Sequence, residues 1–200
     1  MTDNTLDTRL WTQRSPEETR DLYTNWAATY DTDVTGAGYA TPARLAEALA
    51  GHCPDLAAPI LDFGCGTGLS GRALNAAGFA TLDGTDITPG MLEKAAGLGI
   101  YRKLWASQPG DAAPTGYATI AAIGVVSLGA APAGTLATLV GALSPGGLLG
   151  FSYNDATLAD AGYMAALEAA QADADLIHDA YGPHLPAKDM GSRVYVLRKR

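Results

Sequence analysis

The residues in this sequence that most clearly indicate a ligand site are glycines placed between a strand pattern and a helix pattern. Gly64, Gly66 and Gly68 follow the apolar segment 60–63, and a helical pattern starts at Leu69. Glycines permit a positive φ and carry no Cβ, so a ligand can lie directly against backbone N–H groups at a helix N-terminus. The loop lacks the Gly-Lys-Ser/Thr of a P-loop, and its glycines occupy the first, third and fifth positions, whereas a dinucleotide fingerprint has them at the first, third and sixth.

An acidic residue, Asp86, stands at the end of the next predicted strand. An acid at that position can accept hydrogen bonds from both ribose hydroxyls of a nucleoside bound over the glycine loop. Because ribose binding suits NAD equally well, Asp86 predicts a nucleoside site without selecting the cofactor.

Strands and helices alternate after Pro59, which predicts an α/β fold with a parallel sheet covered on both faces. The predicted strands are 60–63, 80–85, 100–105, 117–126, 148–153 and 194–197, and the predicted helices are 69–77, 88–96, 132–143 and 155–174.

Two more helices are predicted ahead of the sheet. Ser15-Pro16-Glu17-Glu18 is typical of a capped helix start, and Trp26 and Tyr30 follow at helical spacing. A second helix opens at Thr41-Pro42 and stops at Gly51. The chain therefore predicts one domain, with a flexible arm at 1–14, a helical cover at 15–58 and an α/β ligand-binding part at 59–200.

Composition limits the partners that suit this chain. Of the 200 residues, 48% are hydrophobic and 17% are charged, and the formal net charge is −8. Such a surface repels phosphate backbones, so nucleic acid is not expected as a partner. Two cysteines cannot make a disulfide framework or a zinc site, and no metal is expected. No signal peptide or membrane span is visible, so we expect a cytoplasmic protein. The oligomeric state is not indicated.

Three motifs together resemble the class I S-adenosylmethionine-dependent methyltransferases. They are the segments 61–68, 86–92 and 143–149, the last with a Pro-Gly-Gly turn before the fifth strand. Within that class the chain is similar to the methyltransferase-like branch related to the Williams-Beuren syndrome region protein. The segments that carry this finer similarity are Trp26-x-x-x-Tyr30-Asp31-x-Asp33-Val34, Gly38-Tyr39-x-x-Pro42 and Gly68-Leu69-Ser70-Gly71.

The resemblance implies a doubly wound, mostly parallel seven-stranded sheet that binds S-adenosyl-L-methionine. It implies that Gly64, Gly66 and Gly68 make room for the methionine part and the ribose, with Asp62 organising the loop and Asp86 binding the ribose hydroxyls. Ile87 and Met91 would line the adenine slot. The other expected cofactor contacts are Trp26, Tyr30, Cys65, Thr67, Ser107 and Ile123.

The chain departs from the pattern of that class at two positions. An acid that usually follows the third strand and contacts the adenine amino group is replaced by Ala106, which leaves Ser107 as a substitute. A second acid, after the aromatic residue that opens the fourth strand, is replaced by Ala118. Two alternatives to a methyltransferase therefore stay open: a non-catalytic S-adenosylmethionine-binding protein and, less favoured, an NAD-dependent oxidoreductase.

No residue carries the mark of a dedicated catalytic base. His178 and His184 are placed in an irregular stretch after the long helix, and Tyr153 follows near the end of the fifth strand. Each also has a structural interpretation. The two histidines suit a solvated surface loop, and the residues after Tyr153 suit a helix cap. Trp26 and Tyr30 likewise suit either core packing or a cover over the cofactor.

The segment after the fourth strand bears on the acceptor. It lacks the Asp/Asn-Pro-Pro-aromatic sequence carried by the N-methyltransferases that act on nucleic acid bases. Together with the acidic charge, this difference favours a small-molecule acceptor.

Overall fold

The computed structural model describes Thr12 and residues 14–200. Apart from Thr12 and Arg14, the predicted arm at 1–14 lies outside the described residues. The fold consists of helices packed on both faces of a single twisted sheet, with three helices ahead of the first strand.

The first helix, α1, spans Pro16–Trp26 and starts with the predicted capping box between Ser15 and Glu18. The expectation that Trp26 and Tyr30 share one helix is wrong, because a turn at 27–29 separates α1 from α2, Tyr30–Gly36. Lys94 donates to the backbone oxygens of residues 27 and 28, so it satisfies carbonyls that the helix end leaves free. Helix α3, Thr41–His52, completes the segment.

The sheet has seven strands in the order β3-β2-β1-β4-β5-β7-β6, and it confirms the predicted fold class. Strands β1 to β5 pair in parallel, and β7 runs antiparallel to both β5 and β6. The strands are β1 Ile60–Phe63, β2 Leu82–Asp86, β3 Tyr101–Ala106, β4 Thr119–Ala122, β5 Leu148–Asn154, β6 Ala174–Leu185 and β7 Met190–Lys199. The helices between them are α4 Leu69–Ala76, α5 Pro89–Ala96, α6 Thr135–Ala142, α7 Asp155–Leu158 and α8 Ala161–Ala170.

Two predictions fail between residues 155 and 185. The predicted single helix at 155–174 is divided, because the Asp160 side chain accepts from two backbone N–H groups and starts α8 anew. The predicted irregular stretch that holds His178 and His184 is the edge strand β6. A Gly-Pro pair at 182–183 and register shifts along β6 obscure its strand pattern, and proline is tolerated because β6 pairs on one side only.

The core lies on both faces of the sheet. On one face, Leu61 and Phe151 pack with residues of α6 and α8. On the other, Ile60 packs with residues of α3 and α4. A smaller separate cluster joins Trp26 and other residues of the first two helices to Leu185 of β6.

Candidate functional site

A cavity of about 580 Å³ lies at the carboxyl ends of β1, β2 and β4, below the first two helices. Its volume is within the range of small-molecule and cofactor sites. Most of the predicted cofactor residues line it, namely Tyr30, Gly64, Cys65, Gly66, Thr67, Asp86, Ile87, Met91, Ser107 and Ile123. Asp62, Gly68 and Trp26 are not among its lining residues.

The three loop glycines have different structural reasons to be glycine. All have positive φ, at 71° for Gly64, 53° for Gly66 and 94° for Gly68. A Cβ on Gly64 would lie 2.5 Å from the Val125 side chain, and one on Gly68 would lie 2.5 Å from Leu98. A Cβ on Gly66 would meet only the Met91 sulfur, at 3.6 Å. Packing against the stiff Val125 side chain therefore requires Gly64, and a side chain at Gly68 would displace the tip of Leu98, whereas Gly66 leaves open space that a ligand can fill.

Asp62 supports the glycine loop from below. Its side chain is fully buried, and Oδ2 accepts hydrogen bonds from Ser70 and Tyr101, each at 2.7 Å. The Tyr101 hydroxyl fits there because Gly71 has no side chain, since a Cβ would lie 2.1 Å from that oxygen. Burial raises the pKa of Asp62 to about 6, against the lowering effect of its two donors. Its second oxygen, Oδ1, is buried without a partner among the described residues.

Asp86 joins the loop to the next strand. Its Oδ2 accepts from the Gly66 backbone N–H at 2.9 Å, and its Oδ1 accepts from the Thr88 N–H at 2.8 Å. Burial raises the pKa of Asp86, while these backbone donors lower it. Because a carboxylate has about four lone-pair sites, each oxygen can still accept a bond from a ligand hydroxyl in the cavity.

The two departures from the family pattern, at Ala106 and Ala118, lie in different places. Ala106 lines the end of the cavity near β3. Ser107 lines the cavity, and its backbone N–H donates to the Asp86 carbonyl at 3.0 Å. Asp111, on the loop after β3, also lines the cavity and offers a carboxylate that sequence analysis did not identify. Ala118 is exposed just before β4 and does not line the cavity. The change at Ala118 therefore leaves the site untouched.

The first two helices and the loop after them close the cavity with aromatic residues. Tyr23, Tyr30 and Tyr39 all line it. The Trp26 ring contacts Tyr23 and Tyr30, and its Nε1 donates to Asp33 at 2.7 Å. Trp26 is thus a packing residue of the cover that does not line this cavity, although it borders the smaller one beside it.

One hydrogen bond connects the cover directly to the glycine loop. The Thr67 hydroxyl donates to Asp31 Oδ1 at 2.5 Å. Both residues belong to segments that the sequence singled out, yet nothing in their spacing predicts that they meet. The position of the cover is therefore coupled to the loop that the ligand would touch.

A smaller cavity of about 60 Å³ adjoins the large one and shares Tyr23, Tyr30, Tyr39 and Gly124 with it. Of the three weak catalytic candidates, only His184 lines this cavity, and none lines the large one.

The other two candidates lie elsewhere. Tyr153 is fully buried in the core, where its hydroxyl donates to the Tyr163 carbonyl at 3.4 Å. His178 packs edge-on against the His52 ring, with ring centroids 5.8 Å apart, and lines neither cavity. Burial lowers the pKa of His184 to about 4, so its imidazole is neutral at pH 7.

The described residues offer neither a metal site nor a membrane-spanning helix. No group of three or more His, Cys, Asp or Glu side chains there is placed to hold a metal ion. None of the helices in that part of the chain combines the length and the apolar character that a membrane crossing requires.

The family model and the curated relative that match this chain are both described as methyltransferases. A family model described as a methyltransferase domain matches residues 61–149. The human protein named methyltransferase-like protein 27 is 39% identical over 137 residues, which are 64% of this chain and 54% of that protein. The chain thus spans about half the length of this curated relative.

Solved structures share the fold at low sequence identity. A magnesium protoporphyrin IX methyltransferase from Synechocystis PCC 6803, with bound S-adenosylhomocysteine, is 15% identical with a TM-score of 0.72, covering 93% of this chain and 100% of that one. The [4+2]-cyclase SpnF is 14% identical with a TM-score of 0.72, covering 94% of this chain and 97% of that one. A TehB-like protein from Corynebacterium glutamicum is 19% identical with a TM-score of 0.60, covering 93% and 100%.

Proposed function

We propose that the chain is a class I S-adenosylmethionine-dependent methyltransferase that transfers the methyl group of that cofactor to a small-molecule acceptor, in keeping with the methyltransferase-domain match at residues 61–149 and the similarity to methyltransferase-like protein 27. The observation that carries the proposal is the large cavity, where the open backbone of Gly66 lies next to the carboxylate of Asp86. A bare glycine backbone suits the close approach of a ligand, and the acid suits a ribose.

The residues present fit S-adenosylmethionine. Asp86 would accept from the ribose hydroxyls, and Ile87 and Met91 would pack on the adenine, with Ser107 and Asp111 as polar groups at that end. The unpartnered Oδ1 of Asp62 marks a buried acceptor under the loop that a bridging water or a cationic group could satisfy. The cofactor would supply a methyl group already activated by its sulfonium.

The protein's own part in the reaction is alignment and exclusion of water. The aromatic residues Tyr23, Tyr30 and Tyr39 cover the cavity and would hold the acceptor against the methyl group. Proximity of this kind can supply much of the rate enhancement of a transfer between two bound molecules. A proton acceptor is needed only if the acceptor molecule must lose a proton before attack.

A small acceptor, with no nucleic acid or membrane partner, is supported by the charge and by the enclosure of the site. The net charge of −8 disfavours phosphate backbones. The cover at 15–58 belongs, in this proposal, to the same domain as residues 59–200. The cysteines Cys53 and Cys65 are both free, in keeping with the cytoplasmic location that we propose.

The second candidate is a protein that binds S-adenosylmethionine without transferring its methyl group. It is favoured by the missing acid at Ala106 and by the similarity to a structure described as a [4+2]-cyclase, since one fold can carry different chemistries. An NAD-dependent oxidoreductase is the remaining alternative, and the spacing of the loop glycines disfavours it.

Calorimetry followed by a turnover assay separates these candidates. We expect binding of S-adenosylmethionine and S-adenosylhomocysteine but not of NAD. The protein is then incubated with S-adenosylmethionine carrying an isotopically labelled methyl group and, separately, with a small-metabolite extract, total RNA or total protein. Label transfer to the small-metabolite fraction supports the proposal. Transfer to RNA or protein overturns the acceptor class, and binding without transfer to any pool supports the second candidate.

A further inference from the structure

The small cavity next to the large one has polar walls with a consistent chemistry. Ser152 and Asn154 of β5 and His184 of β6 all line it. Each of these side chains uses a hydrogen-bond acceptor atom inside the protein. Asn154 and His184 are left with only a donor for the cavity, whereas Ser152 keeps its hydroxyl hydrogen together with a second lone pair.

Asn154 has its amide orientation fixed by helix α7. Its Oδ1 accepts from the Thr157 backbone N–H at 3.0 Å and from the Thr157 hydroxyl at 2.8 Å. A backbone N–H can only donate, so the carbonyl end of the amide faces Thr157 and the NH₂ end is left for another partner. Ser152 behaves similarly, since its Oγ accepts from the Gly124 N–H at 3.1 Å and keeps its own hydrogen to donate.

His184 has its tautomer set by a buried chain of hydrogen bonds. Arg44 donates to Ser192 Oγ at 3.0 Å, Ser192 Oγ lies 2.8 Å from Thr41 Oγ1, and Thr41 Oγ1 lies 2.8 Å from His184 Nδ1. Arg44 can only donate, so the arrangement that uses every hydroxyl hydrogen runs from Arg44 through Ser192 and Thr41 into Nδ1. Nδ1 is then an acceptor, and the neutral ring carries its proton on Nε2.

The ring of His184 is placed to present that proton to the cavity. Its Nδ1 is hydrogen-bonded to Thr41, which does not line the small cavity. Nε2 lies on the opposite side of the ring. The Tyr39 ring packs edge-on against the imidazole, with centroids 5.2 Å apart, and borders both cavities. Burial favours the neutral form of His184, so Nε2–H is a donor and cannot serve as a base.

We propose that the small cavity is a subsite for an oxygen-bearing group of the methyl acceptor, a carboxylate or an amide carbonyl, which the Asn154 amide and the Nε2–H of His184 bind. The proposal rests on the function proposed above. No Lys, Arg, Asp or Glu is among the described lining residues, so neutral donors make the recognition. The cavity volume of about 60 Å³ suits a group of a few atoms, while the shared wall at Tyr30 and Tyr39 lets the rest of the molecule extend into the large cavity. An ammonium group, which can only donate, would find no acceptor atom on Asn154 or His184.

The test uses the full chain saturated with S-adenosylhomocysteine and three probes of similar shape: benzoate, benzamide and benzylamine. We expect benzoate or benzamide to bind and to shift the Asn154 side-chain amide and His184 imidazole signals in NMR titrations. Preference for benzoate over benzamide would identify the group as a carboxylate, and the reverse as an amide carbonyl. Benzylamine is expected not to bind. Tighter binding of benzylamine, or no binding of any probe, overturns the proposal.

The variant Asn154→Asp makes the test independent of folding. Aspartate keeps the oxygen that caps α7 but replaces the NH₂ donor with a second acceptor, so benzoate binding should fall about tenfold or more. Benzylamine should bind this variant better than it binds the native protein. Asn25→Asp adds the same charge on the exposed side of α1 and is the matched control, with no change expected. Equal losses of benzoate binding in the two variants would contradict the assignment.

A second pair of variants tests the histidine. His184→Phe keeps a ring but removes Nε2–H, so benzoate or benzamide binding should fall about tenfold. His178→Phe, outside both cavities, should have no effect. Binding of S-adenosylhomocysteine should stay unchanged in all four variants. If the native protein does not bind S-adenosylhomocysteine, the proposed function is refuted. If it binds S-adenosylhomocysteine but shows no preference among the probes, only the subsite is refuted.

Discussion

The glycine loop and the first two helices of the cover face each other across the same cavity, but they are held by different forces. The loop rests on the buried side chain of Asp62, and its glycines Gly64 and Gly68 lie close to Val125 and Leu98. The two helices share only a small apolar cluster with the α/β part, through Leu185, and are also held by polar links from Thr67 and Lys94. We therefore expect the loop to be fixed before a ligand arrives and the cover to respond to one.

This difference explains how one site can combine precision with access. Atoms that must meet the cofactor have to be preorganised, because any freedom there would be lost as entropy on binding. The helices above the cavity must let molecules in and out, and segments that open locally are those with few buried apolar contacts. Mutations in the loop should therefore change folding or binding outright, and mutations in the cover should change mainly the rate of opening.

The largest expected effect comes from valine in place of two glycines of the loop. Both Gly64→Val and Gly66→Val introduce a side chain at positive φ, but only the first places its Cβ within 2.5 Å of Val125. We expect Gly64→Val to be less stable than Gly66→Val by about 1–3 kcal/mol in urea unfolding, the usual effect of overpacking. Gly66→Val should fold but show no binding of S-adenosylhomocysteine in calorimetry. Native-like binding in that variant would show that the ligand does not lie against Gly66.

The second effect is a pH dependence that belongs to the support under the loop. Burial raises the pKa of Asp62 from 3.8 to about 6. The folded protein then binds a proton more tightly than the unfolded chain, so this stabilising contribution is present below about pH 4 and is lost as the pH rises through 6. The change amounts to about 3 kcal/mol.

Asp62→Asn removes that titration. Relative to the native protein, its free energy of unfolding should rise by about 3 kcal/mol between pH 4 and pH 7, as measured by urea unfolding at each pH. Asp83→Asn is a control of opposite sign, because hydrogen bonding to Arg102 lowers the pKa of Asp83 and that stabilisation is lost as the pH falls. Parallel curves for Asp62→Asn and the native protein would mean that Asp62 titrates normally.

The third effect concerns the acid beside the loop. Asp86→Ala should weaken binding of S-adenosylhomocysteine by about 1.5–3 kcal/mol, the usual loss for hydrogen bonds to a charged group. Asp179→Ala, in an exposed ion pair with Arg193 away from the cavity, should leave the affinity unchanged. If both variants bind equally well, Asp86 is not part of the site.

The sequence predicted the fold and the loop side of the cavity well, because both depend on local signals. Glycine spacing, an acid at a strand end and the alternation of strands and helices each follow from the residues in one short segment. The confirmed seven-stranded sheet and the lining positions of Gly66 and Asp86 come from signals of this kind.

The other side of the cavity depends on contacts between distant segments, which no local pattern contains. The break in the helix after Trp26 involves Lys94, and the donor arrangement at His184 depends on Arg44 and Thr41. The strand that carries His184 was missed for the same reason, since its pairing with β7 compensates for a proline that locally argues against a strand.

The smallest expected effect concerns the hydrogen bond between the loop and the cover. Thr67→Val keeps the shape of the side chain but removes the hydroxyl that donates to Asp31. A bond of this kind contributes about 0.5–1.5 kcal/mol, so amide hydrogens of α1 and α2 should exchange about threefold to tenfold faster, while those of β1 and β4 keep their rates. Hydrogen exchange of the native protein with saturating S-adenosylhomocysteine should show the reverse, with slower exchange confined to α1 and α2. Thr115→Val, on an exposed loop, is the control for the substitution itself. If the amides of α1 and α2 are equally protected with and without the ligand, these helices are ordinary core, and the contrast between a fixed loop and a responsive cover does not hold.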